Sequence, residues 1–392
     1  MASSKPLTAQ QPMKTFYIIL FALCSVIRVP FLLLYYLPRS LRPRLTWSYR
    51  AAVGTALVRI YFTFITSIRL STPRSLVPGA DESRFELLQP GPTNVYRGVL
   101  QQNPAIRPTT LGCIWLPRLP SLSTLSSSSS SSTSSSWSSS RMILHFHGGA
   151  YVCTSPRLPV AQYGPSMLCS SLSATAVLLP QYRLASSSAA AFPAALQDAV
   201  TAYAHLLTVG VPPSRIIVSG DSAGAHLALA LMRYLAENNS SGLLPLPAAV
   251  LLHSPWLDML LPPTTTSVDQ ATGDYLPLSL LEWGVTSVVP PEEDAAGPYF
   301  SPLRHPFRIG VPLWVQSGTA ELFYADAEKF VERMRIEEKK EEGGGSEIEF
   351  YRFPDGMHNT FAAAGVMGLE AEAKSALEGA RKFVKTWCPS WR

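Results

Sequence analysis

Hydrophobic positions along this chain fall into three regimes. Residues 16–37 form a nearly unbroken apolar run, interrupted by Arg28 and Pro30. A second apolar run, 51–68, carries Arg59 at its centre. From residue 111 onward, short apolar blocks alternate with longer stretches compatible with helix. Strand-like blocks fall at Leu111–Leu116, Met142–Phe146, 175–179, 215–219, 248–252, 311–315 and 347–353. Helix-compatible stretches at 193–207, 222–237, 326–337 and Glu370–Trp387 separate most of them. This alternation predicts an α/β fold, a mostly parallel sheet covered by helices on both faces.

The first run is 22 residues long, which suffices to span a bilayer. Against that, a charge near the centre of a span costs about 2.5–3.5 kcal/mol on insertion scales. The run reads as a membrane span or re-entrant anchor. The alternatives are an interfacial helix, a signal peptide or a buried cap helix. A cleavable signal is disfavoured because Arg28-Val29-Pro30 stands where small residues are needed. Arg39, Arg42, Arg44 and Arg50 follow the run, and Lys5 and Lys14 precede it. Positive-inside logic therefore puts the main domain in the cytosol. The second run reads as an amphipathic helix on the membrane or over a site; if it also spanned, the domain would face the lumen.

Residues 121–140 hold 15 serines in 20 positions. Such a segment lacks the apolar surface to order itself, and a disordered loop between strands is expected there. A charged, Gly-rich insertion at 335–347 is expected to be solvated.

Composition narrows the picture only a little. The chain has 392 residues, 47% of them hydrophobic, and a formal charge of +5. No basic run interleaved with aromatics occurs, so no nucleic-acid partner is expected. Cys24, Cys113, Cys153, Cys169 and Cys388 are scattered, odd in number and without C-x-x-C spacing. They read as reduced thiols, not as a disulfide frame or a metal site.

The chemistry concentrates at Gly220-Asp221-Ser222-Ala223-Gly224, between the apolar Ile216-Ile217-Val218 and a helix-compatible run. A Gly-x-Ser-x-Gly turn between strand and helix is a nucleophile elbow, which exposes the serine hydroxyl above the sheet. Ser222 needs a base, because a serine hydroxyl is a weak nucleophile at its free pKa. In this fold the order along the chain is serine, acid, histidine. His358, just after the last expected strand, fits the base. Glu321, at the carboxyl end of the 311–315 block, fits the acid. Asp326 is the alternative acid, although it reads more naturally as a first-turn helix charge. His147-Gly148-Gly149-Ala150 follows a strand and can supply backbone donors to an oxyanion. The expected donors are the amides of Gly148, Gly149 and Ala223.

These motifs resemble the hormone-sensitive-lipase-like family of α/β-hydrolases, including membrane-anchored fungal esterases and arylacetamide-deacetylase-like enzymes. The matching residues also include Tyr182-Arg183-Leu184-Ala185, Phe192 to Asp198, Ser254-Pro255-Trp256-Leu257-Asp258 and Gly356-Met357-His358. The resemblance covers roughly residues 111–387. It implies an eight-stranded sheet, a cap built partly from N-terminal helices and ester hydrolysis without a cofactor. The implied division is a tail and anchor at 1–50, a cap region at 51–110 and an α/β-hydrolase domain at 111–392. Three positions depart from the family pattern. Ala150 replaces a third glycine, Glu321 stands where aspartate is usual, and Ala185-Ser186-Ser187 replaces a proline and an acid. Asp221 is expected to steady the elbow, and Asp198 to bond to backbone or Arg183. Trp256 and Tyr182 are expected to pack near the pocket.

The expected activity is serine carboxylester hydrolysis of a hydrophobic ester: an acetylated sterol, a glyceride or a secondary metabolite. An acyltransferase on the same site and a non-catalytic ligand-binding relative are the rival readings. The expected location is a membrane of the endoplasmic reticulum, single-pass or monotopic, with the lipid bilayer as partner. Asn238 and Asn239 match the glycosylation pattern, which matters only for a lumenal domain. The sequence sets no oligomeric state.

Overall fold

The computed structural model describes residues 5–118, 137–185, 188–239, 242–260, 273–340 and 345–392. Eight strands form one sheet: β1 (Phe85–Leu88), β2 (Leu111–Leu116), β3 (Met142–Phe146), β4 (Ala176–Pro180), β5 (Ile216–Asp221), β6 (Ala249–His253), β7 (Leu313–Gly318) and β8 (Ile348–Phe353). Their order is β1-β2-β4-β3-β5-β6-β7-β8. β2 pairs antiparallel with both β1 and β4, and every other pairing is parallel. β2 to β7 are buried at every residue. That double-sided burial is why they read as continuous apolar blocks instead of alternating ones.

α4 (Ala194–Thr208), α5 (Ala223–Glu237) and α7 (Tyr324–Glu338) pack on one sheet face through Leu196, Leu227 and Phe330. α3 (Pro159–Ser171), α8 (Thr360–Met367) and α9 (Glu370–Trp387) cover the other through Leu168, Phe361 and Phe383. α6 (Leu278–Val288) lies beyond the carboxyl ends of the strands, with Leu280 and Leu281 buried.

Two helices precede the sheet. α2 (Tyr49–Ser67) is capped by the Ser48 hydroxyl, which accepts from the Ala51 amide at 3.0 Å. Ala51, Ala52 and Met367 share a small core with Met357. α1 (Met13–Tyr35) buries no residue. It is 23 residues long, its most apolar 18-residue stretch has a mean hydropathy of 2.4, and it is long and apolar enough to cross a membrane.

The serine-rich segment requires a correction. Most of it lies outside the described residues, but its end is packed. The Trp137 side chain is 8% exposed, with its ring centroid 6.0 Å from that of Trp115. Arg215 Nη1 donates to the Ser139 carbonyl at 2.7 Å. The expected disorder therefore cannot extend through residue 140, because a large aromatic ring there finds core to bury against.

Candidate active site

The elbow is built by steric necessity. Ser222 adopts φ 53° and ψ −120° between β5 and α5, a region costly for any side chain. A Cβ on Gly224 would sit 2.0 Å from the Phe146 carbonyl oxygen, and one on Gly220 2.3 Å from the Gly224 oxygen. Both positions therefore demand glycine. The Ser222 amide donates to the His253 carbonyl at 2.9 Å, fastening the turn to β6.

His358 follows β8 and lies against this turn. Its Nε2 is 2.9 Å from Ser222 Oγ, a hydrogen-bonding distance. On the other side of the ring, Nδ1 is 3.5 Å from Glu321 Oε2. That is longer than a formed bond, yet neither atom has any other partner. The other Glu321 carboxylate oxygen accepts from the Ser317 hydroxyl. Glu321 is fully buried and His358 is 2% exposed. Burial presses the imidazole pKa down, but Glu321, Asp274 and Asp221 outweigh it, and the net direction is up from 6.5. Asp326 lies in the first turn of α7, where Asp258, Lys329 and Arg304 are its charged neighbours.

The glycine turn departs from the expected oxyanion arrangement in one respect. The Gly148 amide donates to Asp221 Oδ2 at 3.0 Å, so it is committed to the elbow and is not a free donor. No described residue accepts the amides of Gly149, Ala150 or Ala223. Gly149 has φ +112°, and a Cβ there would meet the Cys153 carbonyl at 2.2 Å. Ala150 has φ +52°, the left-handed conformation a glycine would accept more easily.

Asp221 does more than steady the elbow. Besides Gly148, it accepts from Asn359 Nδ2 at 2.6 Å and contacts His145 Nε2 at 3.0 Å. It thus ties the glycine turn to the loop bearing His358. Burial alone would raise its pKa; the His145 bond and charge, with His147 and Asn359, hold the carboxyl below its usual range. Asp274 accepts from the Leu322 amide at 2.7 Å and so braces the turn carrying Glu321. Ser317, Asp274 and Asn359 were not among the sequence candidates. Asn359 adjoins His358, and that adjacency was the one available signal; nothing in the local sequence marks Asp274. Arg183 clasps Asp198 at 2.8 Å, as the sequence suggested, and Trp256 and Tyr182 are buried.

A cavity of about 110 Å³ meets Ser222 and His358. Its walls include Val58 and Phe62 of α2, Leu280 and Leu281 of α6, and Val366 of α8. The described residues contain no cluster of metal-ligand type.

A sheet of this order with a serine at the β5–α5 turn defines the α/β-hydrolase class. A family model described as "alpha/beta hydrolase fold" matches residues 143–362, more than half of the chain, and the chain belongs to that family. It is similar to an acetyl-hydrolase of Streptomyces hygroscopicus, 31% identical over 250 residues, covering 63% of this chain and 76% of the relative. An esterase of Acinetobacter venetianus is 29% identical over 246 residues, covering 63% and 75%. Among solved structures, the esterase EstE5, soaked with ethyl alcohol, matches with a TM-score of 0.52 at 29% identity, covering 64% of this chain and 77% of that one. The chain is a carboxylic ester hydrolase.

Proposed function

We propose that the hydrolysis proceeds through Ser222, with His358 as general base and Glu321 orienting the imidazole. The 2.9 Å contact between Ser222 Oγ and His358 Nε2 carries this reading. Ser222 attacks the ester carbonyl as His358 takes its proton, and the imidazolium gives that proton to the leaving alcohol. Water then releases the acyl group by the same steps in reverse roles. The oxyanion is received by the amides of Gly149, Ala150 and Ala223, whose free donors support that role.

The substrate reading is a short-chain acyl ester of a hydrophobic alcohol. The cavity beside Ser222 is mostly apolar, as a pocket for the hydrocarbon part of an ester requires. The similarity to an acetyl-hydrolase agrees with a short acyl group. α1 is assigned as a membrane anchor of the endoplasmic reticulum, with the hydrolase on the cytosolic side; its length, hydropathy and lack of buried residues support the anchor.

Ser222→Ala tests the reading. Turnover is expected to fall by about 10⁴–10⁶, and labelling by a fluorophosphonate probe to vanish, with the circular dichroism unchanged. Labelling retained at another serine would reassign the nucleophile.

A further inference from the structure

We propose that α1 lies within one leaflet of the membrane instead of crossing it, and that the ester reaches Ser222 from that leaflet past α2. This rests on the reading of α1 as the membrane-binding element.

α1 runs antiparallel to α2 and is tied to it from end to end. The Thr8 hydroxyl, just before α1, donates to the Ser67 carbonyl at 2.6 Å. Phe21 and Phe64 meet with ring centroids 4.7 Å apart. At the far end the Tyr49 hydroxyl donates to the Leu33 carbonyl at 2.8 Å. α2 is in turn fastened to the hydrolase. Trp47 Nε1, just before it, donates to the Asp355 carbonyl at 2.7 Å, and Arg50 pairs with Glu370 at 3.4 Å. If α1 crossed the hydrocarbon in this arrangement, α2 and the hydrolase surface would follow it into lipid. That would bury the Arg50–Glu370 pair and Arg59 where no water solvates them.

The two faces of α1 differ accordingly. Tyr17, Phe21, Ser25, Val29 and Leu32 are half-buried. Leu23, Ile27, Phe31 and Leu34 are 60–76% exposed, forming an apolar stripe with no protein over it. Charge names the occupant. No Asp or Glu precedes Asp81, whereas ten Lys and Arg do. A cationic region flanking an exposed apolar helix is complementary to a leaflet bearing anionic headgroups. Val58 and Phe62 of α2 line the cavity at Ser222, so seating α1 in the leaflet brings that wall to the lipid surface.

The test uses the full chain in a Cys24→Ser background, since the other four cysteines are buried. Single cysteines replace Phe16, Ile27 or Leu34 and carry an environment-sensitive fluorophore. The protein is bound to phosphatidylcholine–phosphatidylserine vesicles, and depth is read with brominated lipids. Positions 16 and 34 lie ~27 Å apart along a helix rising 1.5 Å per residue. In-plane seating gives all three labels one shallow depth. A graded depth across the hydrocarbon overturns the seating and keeps the anchor. Failure to float with vesicles overturns the anchor itself. Labels shielded in a lipid-free dimer assign the stripe to a second copy and also overturn the proposal. As a second arm, Leu23→Asp/Ile27→Asp is expected to lower turnover of a vesicle-borne ester roughly tenfold or more. Unchanged turnover would overturn delivery from the leaflet.

Discussion

His358 sits where opposing influences meet. Its burial disfavours the imidazolium, and the carboxylates around it favour that form, with the second effect larger. A general base must be neutral to accept a proton, so activity should fall as pH drops through this raised pKa. The acid limb of kcat/KM is therefore expected above the ordinary 6.5. Glu321→Gln removes a raising influence, so the limb should move to lower pH, while turnover falls by roughly 10³–10⁴ as the imidazole loses its orienting charge. Asp326→Asn should leave both readings near those of the parent. The opposite pattern in the two variants would transfer the acid role to Asp326. Ala150 makes a second residue-scale prediction. Its left-handed backbone places a Cβ on the cavity wall. Ala150→Gly should raise the butyrate-to-acetate ratio of kcat/KM by roughly tenfold, the scale set by one or two methylenes in an apolar pocket. An unaltered chain-length profile would remove Ala150 from the specificity wall. At this scale the sequence singled out residues by type and order, Ser222, His358 and Glu321, and the structure brings these three side chains together. It did not reveal that the Gly148 amide is paired with Asp221, or that Asp274 holds the Leu322 amide, because amide pairing is decided by backbone direction, which no single residue reveals.

Elements were legible in proportion to how fully they are buried. The central strands announce themselves because both faces are covered, leaving no polar interruption. β1 escaped notice: four residues with an exposed Leu87 and a half-buried Glu86 give too short a pattern at the sheet edge. The serine-rich segment shows composition overruled by one residue. Glycine- and serine-like stretches carry little burial energy, but Trp137 carries a great deal. Its ring reaches Trp115, whose Nε1 in turn donates to Glu86 of β1 at 2.8 Å. Two deletions separate these contributions. Removing residues 121–135 shortens the connection between Leu116 and Trp137 to about a quarter, and by the slow dependence of loop closure on length should shift stability by only about 1 kcal/mol. Extending the deletion through residue 140 removes Trp137 as well and should cost about 3–5 kcal/mol, as for other buried tryptophans. Chemical denaturation of both variants measures the difference. Equal stabilities would mean that the Trp137 contact contributes nothing.

At the level of the whole molecule, the parallel sheet and its covering helices follow from the alternation of apolar blocks, since sequential parallel strands need crossovers over the faces. The relation of the N-terminal helices to the sheet did not follow. It depends on contacts such as Trp47 to Asp355, which join residues 308 positions apart. Those contacts bear on which side of the membrane the hydrolase occupies. If α1 stays in one leaflet and is held along α2, it cannot carry the hydrolase through the bilayer, and the catalytic domain remains on the side of synthesis. Arg39, Arg42, Arg44 and Arg50 just after the apolar run favour the same cytosolic face. Five free cysteines are compatible with a reducing compartment. The tandem sequon at Asn238 and Asn239 supplies an internal reporter, because Asn239 is exposed at the end of α5. Expressed in a glycosylating host, the chain should migrate identically before and after glycosidase treatment. A glycosidase-sensitive shift that disappears in Asn238→Gln/Asn239→Gln would put the catalytic domain in the lumen. It would also show that α1 or α2 had spanned the bilayer during synthesis.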